Sequence, residues 1–339
     1  MTAANDQAML RFLADAGWGT AHRAPLAGDA SARRYERLTP EAGADNAVLM
    51  IAEDAEDEIG RFVRIAGWLN DAGFSAPRIL AQSAAQGYVL LEDLGDDLVA
   101  RLVAKAPCRE DELYREITRF LLALHTHAAP EDLPGINVSN FGEMTSLCGD
   151  WYLPAAGRAR ADFATPQALA RAYGRLAPVT SVMCLRDFHA ENLLWLPERE
   201  GVARLGLLDF QDAVTAHPAY DLVSVLQDAR RDVSLLVEAS ERDYYAQSAG
   251  YDLADFKAAY ALIGAQRSIR ILGIFTRLCL QAGKAAYVDL IPRTWGYIER
   301  NLSHPNLATL ADEFYAATPA PTDALLQRIK DQCGTLRTR

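Results

Sequence analysis

The first ninety residues alternate between helical and extended patterns of apolar positions. Apolar side chains recur on one face of each helical segment, and Gly17 and Gly73 should end the two helices. The extended segments are bordered by residues typical of turns. The predicted elements are a helix over residues 9–16, strands over 34–38 and 47–52, a helix over 59–69, and strands over 78–82 and 88–91.

The remainder of the chain is predominantly helical in its spacing of apolar residues. Long helices are predicted over residues 113–124 and 253–280, whereas residues 193–196 and 205–210 form a pair of short extended runs. The sequence therefore predicts an α+β protein, in which a small lobe with an antiparallel sheet precedes a larger, mostly helical lobe. The predicted domains are an N-terminal lobe over residues 1–95 and a C-terminal lobe over residues 96–339.

Composition narrows the class of protein. Half of the 339 residues are hydrophobic and 23% are charged, which supports an extensive core. The net charge of -11 argues against a nucleic-acid partner, because such proteins need a basic face for the phosphates. No apolar run could span a bilayer, and we see no signal peptide. The five cysteines are scattered, so we expect a cytoplasmic protein with reduced thiols.

Three polar residues in the second half have the chemistry of a phosphotransferase. Asp187 is followed five residues later by Asn192, and an apolar run then leads to Asp209. Kinases need these groups: a carboxylate beside the acceptor hydroxyl, and amide and carboxylate oxygens on magnesium. We expect Asp187 to be the catalytic base, and Asn192 and Asp209 to bind Mg²⁺. Because such residues are also common in turns, the prediction depends on the order of the surrounding elements.

Two further residues are expected to support this trio without reacting. His189 should hold the catalytic loop by hydrogen bonds, since the reaction already has a base in Asp187. Asp221 should begin a helix and brace the same loop. Arg186 could steady phosphate charge or pair with a nearby acid, and the sequence leaves both possibilities open.

At these residues the chain resembles the aminoglycoside phosphotransferase-like kinases over most of its length. Residues 186–192 look like the catalytic loop of that family, and residues 208–213 look like its second metal-binding motif. The resemblance implies the bilobal protein-kinase architecture, with ATP as the donor and Mg²⁺ as the cofactor.

A narrower resemblance is to the bacterial N-acetylmuramate/N-acetylglucosamine anomeric kinases. It implies phosphorylation of the C1 hydroxyl of a free amino sugar, giving a sugar 1-phosphate for cell-wall recycling. The segments that carry it are residues 28–35, 48–50, 91–95, 209–213 and 266–275.

The same resemblance implies where the nucleotide binds. Residues from Gly28 to Arg33 would cover the phosphates, with Ser31 and backbone N–H groups as contacts, although a loop with one glycine could be an ordinary turn. The hinge, which includes Glu92 and Leu94, would offer backbone hydrogen bonds to adenine.

The chain departs from the kinase pattern at two positions. Met50 stands where many kinases have a strand lysine that reaches the ATP phosphates, so Arg33 or Arg34 would have to supply this charge. Glu58 is the candidate carboxylate on the helix that follows. Leu185 stands where relatives often have a histidine, whose role is structural.

A sugar pocket needs an aromatic surface and fixed polar groups, and the chain offers both. Trp151 could stack on the ring or simply pack in the core. Arg267 and Arg270, three residues apart on a helix, could face the lactyl carboxylate of N-acetylmuramate together, or could be surface charges. The candidate sugar contacts are Asp150, Trp151, Gln211, Asp212, Arg267 and Arg270.

Two alternatives to an amino-sugar kinase remain open from the sequence. The first is a kinase of another small hydroxylated molecule, such as an aminoglycoside, choline or homoserine. The second is a nucleotide-binding regulatory module without turnover, which the methionine at position 50 would allow. The expected partner is a small molecule, with neither nucleic acid nor membrane involved, and a monomer is favoured.

Overall fold

The computed structural model describes residues 3–26, 33–41, 43, 45–52, 56–177 and 181–336. As far as residue 124 its elements are α1 (Ala3–Asp15), β1 (His22–Leu26), β2 (Arg34–Thr39), β3 (Ala47–Ile51), α2 (Glu56–Asp71), β4 (Ile79–Ser83), β5 (Tyr88–Glu92), α3 (Val99–Lys105) and α4 (Glu110–Leu124). Thereafter they are α5 (Val138–Glu143), α6 (Leu153–Ala155), α7 (Thr165–Leu176), β6 (Val182–Cys184), β7 (Leu193–Trp195), β8 (Leu205–Leu207), β9 (Val214–Ala216), α8 (Ala219–Leu226), α9 (Leu235–Ser248), α10 (Leu253–Leu280), α11 (Ile291–Leu302), α12 (Ala308–Ala317) and α13 (Asp323–Asp331). The predicted α+β class is confirmed.

Contacts divide the chain into two compact units, each made of two stretches of sequence. The first unit comprises residues 1–120 and 190–213, and the second comprises residues 121–189 and 214–339. This division differs from the predicted one because the hairpin of β7 and β8 packs with the first stretch. The Trp195 N–H donates to the Asp97 carbonyl at 2.8 Å, and the Ser75 hydroxyl donates to the Ala203 carbonyl at 2.6 Å.

An antiparallel sheet organises the first unit. Its five described strands have the order β1-β2-β3-β5-β4. One face packs on α1, where Leu38, Leu49, Ile51 and Leu90 join Leu13 in a buried cluster. The other face carries the alternate residues of the same strands, because successive side chains of a strand point to opposite faces.

The sequence prediction missed β1, and the reason lies in its composition. The strand reads His-Arg-Ala-Pro-Leu and contains no alternation of apolar and polar residues. It lies at the edge of the sheet and pairs only with β2 among the described strands. Pro25 lacks an N–H group to donate, and an edge strand tolerates that loss.

In the first unit, β7 and β8 form the predicted hairpin beneath the hinge. Leu194 lies opposite Gly206 in the register, and Leu94 approaches the same glycine. A Cβ atom at Gly206 would lie 3.1 Å from the Leu194 Cβ and 3.2 Å from the Leu94 Cδ1. The glycine therefore allows the hinge segment to pack closely on the hairpin.

The second unit is built around α10, which spans the predicted residues 253–280 and is buried along much of its length. Its Gly273 lies against the backbone of Leu147, where a Cβ atom would lie 2.3 Å from the Leu147 carbonyl carbon. The short antiparallel pair of β6 and β9 was not predicted, because three residues are too few for a periodic pattern. No helix within the described ranges is long and apolar enough to cross a membrane.

Candidate active site

The loop that carries Asp187 is anchored to the second unit through a buried carboxylate. Asp221, at the start of α8, accepts hydrogen bonds from the backbone N–H groups of Leu185 (2.5 Å) and Arg186 (2.9 Å). Arg186 has a φ of 73°. A non-glycine residue in this left-handed region is held there by its surroundings, and such strain is common at functional sites. The chain is therefore fixed immediately before the predicted base.

Two side chains that the sequence analysis did not assign to the loop also hold it. Arg267 Nη1 donates to the Arg186 carbonyl at 3.3 Å, and Ser224 Oγ donates to the same oxygen at 3.4 Å. The Arg267 guanidinium lies 5.8 Å from the centre of the Tyr220 ring. Arg267 was predicted as a substrate contact, but at least one of its N–H groups is directed at the loop backbone.

His189 is buried in the second unit beside Arg230, and Nη1 of that arginine lies 3.4 Å from the His189 Nε2. Burial, together with the charges of Arg230 and Arg267, lowers the pKa of His189 to about 3. The imidazole is therefore neutral near pH 7, as suits a group that orients the loop.

Arg270 brings a further positive charge to the surroundings of Asp187. It lies one turn after Arg267 on α10, and its Nη1 is 3.5 Å from the Tyr220 hydroxyl. Burial and the charges of Arg186 and Arg267 lower its pKa, whereas the Tyr220 hydroxyl and the Asp187 carboxylate act in the opposite sense. The described neighbourhood of Asp187 in this unit is thus rich in guanidinium groups.

In the first unit, Asn192 and Asp209 lie at the ends of β7 and β8. The Leu208 N–H donates to the Asn192 carbonyl at 2.9 Å, which joins the two segments where the hairpin ends. Asp209 has a φ of 55°, and among the described residues only it and Arg186 are non-glycine residues with positive φ. Its side chain is 48% exposed. The carboxylate can therefore receive a ligand.

The chemistry of these groups fits a magnesium ion. Asp209 and Asn192 offer hard oxygen atoms, and Mg²⁺ usually takes only one or two protein ligands beside water and phosphate. Gln211 Nε2 donates to Asp209 Oδ1 at 2.8 Å. The buried Oε1 of Gln211 has no hydrogen-bond partner within the described part of the chain. It could accept from a water molecule bound to the ion.

The hinge predicted to bind adenine is fixed by ion pairs in the first unit. Arg37 Nε lies 2.6 Å from Asp93 Oδ2, and its Nη1 lies 2.8 Å from Asp96 Oδ2. Glu92 is paired with Arg199 at 2.7 Å. The Glu92 carboxylate therefore has a structural partner, which leaves backbone groups as the part of the hinge that could meet a base. The arginine at position 37 carried no signal in the sequence.

The remaining predicted residues have less defined surroundings. Gly28 and Ser31 lie outside the described residues. Asp150 and Trp151 lie in a π-helical turn, Cys148–Tyr152, where Asp150 is exposed and paired with Arg160 and Trp151 is half-buried. Asp212 is exposed.

Residues 22–261 match the phosphotransferase enzyme family, so the chain belongs to that family. It is therefore an enzyme that transfers a phosphoryl group to a hydroxyl, and the alternative of a module without turnover is not supported.

Curated relatives of similar length carry one name. The chain is 40% identical to the N-acetylmuramate/N-acetylglucosamine kinase of Caulobacter vibrioides, over 95% of this chain and 99% of that protein. It is 31% identical to the enzyme of the same name from Pseudomonas aeruginosa, over 92% of this chain and 94% of that protein.

Solved structures with lower identity share the fold. The GDP complex of wild-type aminoglycoside 2'-phosphotransferase-IIIa has a TM-score of 0.61 at 15% identity, covering 88% of this chain and 98% of that one. A choline kinase from Streptococcus pneumoniae has a TM-score of 0.60 at 13% identity, covering 88% of this chain and all of that one. These likenesses bear on the fold alone.

The buried carboxylate of Asp221 makes stability depend on pH. Burial raises its pKa from 3.8 to about 7, against the opposing effect of the two N–H donors and Arg267. The folded chain holds this proton between those pH values and the unfolded chain does not. The contribution of Asp221 to the free energy of unfolding should therefore fall as pH rises through that window, by at most about 4 kcal/mol.

Urea unfolding of the wild type and of Asp221→Asn, whose amide does not titrate, measures this effect. The free energy of unfolding of the wild type minus that of the variant should decrease as pH rises from 3.8 to about 7. A difference that stays constant with pH would contradict the raised pKa.

Proposed function

We propose that this enzyme uses ATP and Mg²⁺ to phosphorylate the C1 hydroxyl of N-acetylmuramate, N-acetylglucosamine or both. The sugar 1-phosphate formed would enter cell-wall recycling in the cytoplasm. The observation that carries the proposal is the relative of this name that aligns with 95% of the chain at 40% identity. Asp187, Asn192 and Asp209 supply the groups that the reaction needs.

In this mechanism Asp187 accepts a hydrogen bond from the acceptor hydroxyl and takes its proton late in the transfer. Because the transition state is loose, the rate depends more on the positioning of the reactants than on the strength of the base. Asp221, Arg267 and Ser224 supply that positioning through the backbone before Asp187. Asn192 and Asp209 would hold Mg²⁺, which would neutralise charge on the phosphates when bound.

The donor nucleotide is assigned to the first unit. The backbone of the hinge near Leu94 would bind adenine, and the segment of Gly28 and Ser31 would cover the phosphates. The ion pairs of Arg37 with Asp93 and Asp96 support the hinge assignment, because they hold the segment that follows Glu92 in place through side chains.

The charges near Asp187 favour an acceptor that carries an anion. Arg186, Arg267 and Arg270 lie in the same unit, and the charges of Arg186 and Arg267 lower the pKa of Arg270. A polycationic aminoglycoside would be repelled by this group, whereas the lactyl carboxylate of N-acetylmuramate would be attracted. Contacts of Asp150, Trp151, Gln211 and Asp212 with the sugar remain part of the proposal.

A panel of acceptors tests the assignment. The enzyme is incubated with radiolabelled ATP, Mg²⁺ and, separately, N-acetylmuramate, N-acetylglucosamine, an aminoglycoside or choline. Phosphorus NMR of the product then shows which oxygen carries the phosphate. We expect an anomeric phosphate on one or both amino sugars. Turnover of an aminoglycoside or choline alone, or phosphate on another hydroxyl, would contradict the proposal.

Arg270→Met should separate the two amino sugars. Only N-acetylmuramate carries a carboxylate, and a lost charge-assisted hydrogen bond costs about 1.5–3 kcal/mol, or about 10–100-fold in affinity. We expect KM for N-acetylmuramate to rise by that factor while KM for N-acetylglucosamine changes little. Steady-state kinetics with both sugars measure the ratio.

Arg267→Met is the matched control on the same helix. Because Arg267 donates to the loop backbone, its loss should lower kcat for both sugars to a similar extent. Equal rises in KM for both sugars in Arg270→Met would contradict the proposal that this arginine binds the lactyl carboxylate.

A further inference from the structure

The central strand of the sheet lacks a cation on the face turned away from α1. Met50 is 1% exposed and lies directly across from Tyr35 on β2. The thioether of methionine carries no charge and accepts hydrogen bonds only weakly. If the triphosphate binds in this unit, another side chain has to neutralise it.

Arg33, immediately before β2, places a positive charge beside two carboxylates, as the missing lysine would. Its Nη2 lies 3.2 Å from Glu58 Oε2 on α2, and its Nη1 lies 3.8 Å from Asp209 Oδ1. It also hydrogen-bonds the Tyr35 hydroxyl. The Arg33 side chain is 11% exposed. The guanidinium thus lies between a helix carboxylate and the proposed metal-binding carboxylate.

We propose that Arg33 binds the phosphates of the nucleotide and replaces the strand lysine. In protein kinases that lysine pairs with a glutamate of the following helix and contacts the phosphates close to the metal-binding aspartate. Here the same two kinds of carboxylate converge on a cation that comes from the neighbouring strand. The planar guanidinium has five N–H donors in a fixed fork, which matches the geometry of phosphate oxygens.

Arg33 and Arg34 differ in the face of the sheet on which they lie, because successive side chains of a strand alternate between the two faces. Arg33 is two residues before Tyr35 and shares its face of the sheet, the face of Met50. Arg34 lies across from Ile51, which belongs to the cluster packed on α1. The two arginines therefore point to opposite faces, and the ion pairs with Glu58 and Asp209 are made by Arg33.

This inference rests on the proposed use of ATP but does not depend on the identity of the sugar. Its test therefore measures nucleotide binding with no acceptor present. Isothermal titration compares Mg·ATP with adenosine, which has the base and ribose but no phosphate. The proteins are the wild type, Arg33→Met, Arg33→Lys and the matched control Arg34→Met.

We expect Arg33→Met to bind Mg·ATP about 10–100-fold more weakly, the range for a lost charge-assisted bond. Adenosine affinity should be unchanged, which a general structural defect would not allow. Arg33→Lys should be intermediate, because it keeps a charge but loses the planar fork. Arg34→Met should bind both ligands as the wild type does.

Equal Mg·ATP affinity in the wild type and Arg33→Met would overturn the inference, as would an equal loss in Arg34→Met. A parallel loss of adenosine and Mg·ATP binding in both Arg33 variants would also overturn it, since the arginine would then serve the fold. If Arg33→Met does not fold, Arg33→Lys decides: weakened Mg·ATP binding with unchanged adenosine binding supports the inference, and unchanged binding of both overturns it. An enzyme that shows the expected pattern and phosphorylates no amino sugar would refute the acceptor assignment alone.

Discussion

Replacement of Asp187 with alanine should lower kcat by about 10³-fold, within the usual range for the loss of a positioned general base. Asp187 follows a backbone segment that Asp221, Arg267 and Ser224 hold by four hydrogen bonds to two residues. The variant removes the carboxylate without removing any of those bonds. Steady-state assays with the best acceptor of the panel measure the loss.

The affinity for Mg·ATP should change little in Asp187→Ala, because the nucleotide is assigned to the other unit. This separates the loss of the base from a loss of folding. Asp312→Ala is a useful comparison, because it removes an exposed aspartate of the same unit to which no role is assigned, and it should leave kcat nearly unchanged. A kcat for Asp187→Ala within about tenfold of the wild type would argue against a role as base.

Asp209→Ala should reduce kcat/KM for ATP by about 10³-fold, because a metal ion stabilises transition-state charge by several kcal/mol. The structural reason is that Asp209 provides the exposed carboxylate at the end of β8. Its loss should also raise the Mg²⁺ concentration needed for half-maximal rate. Rates measured across a series of Mg²⁺ concentrations test this directly.

Asp209→Asn keeps the size and one oxygen of the side chain and should lie between the wild type and alanine. Chelation of Mg²⁺ by EDTA should abolish the activity of the wild type, and added Mg²⁺ should restore it. A variant of Asp209 that retains the normal dependence on Mg²⁺ would exclude this residue as a ligand.

The long elements could be predicted because their patterns repeat many times. Residues 253–280 were predicted as a helix, and α10 spans those residues. By contrast, β6 and β9 have three residues each, and β1 contains a proline at the edge of the sheet. Their pairing depends on contacts with distant parts of the chain, which a local pattern does not report.

The chemistry of the candidate site was easier to predict than its support. Asp187, Asn192 and Asp209 suggest roles through residue type and spacing, and those roles remain predictions. The ion pair of Arg33 with Glu58 joins residues 25 positions apart, and its approach to Asp209 spans a much longer stretch. Arg37 and Ser224 likewise have no motif. Such partners become visible only in the folded structure, because they are distant in sequence and the fold brings their side chains together.

In the second unit, helix α10 contacts both the loop that carries Asp187 and the residue before the turn at Cys148–Tyr152. On α10, Arg267 holds the backbone before Asp187, and Gly273 lies six residues further along, against Leu147. Six residues of helix span about 9 Å, so one continuous helix makes both contacts at a fixed separation. The turn at Cys148–Tyr152 follows Leu147 directly. If that turn contacts the sugar as proposed, substitutions on it would change the preferred acceptor while the same helix keeps the loop of Asp187 in place.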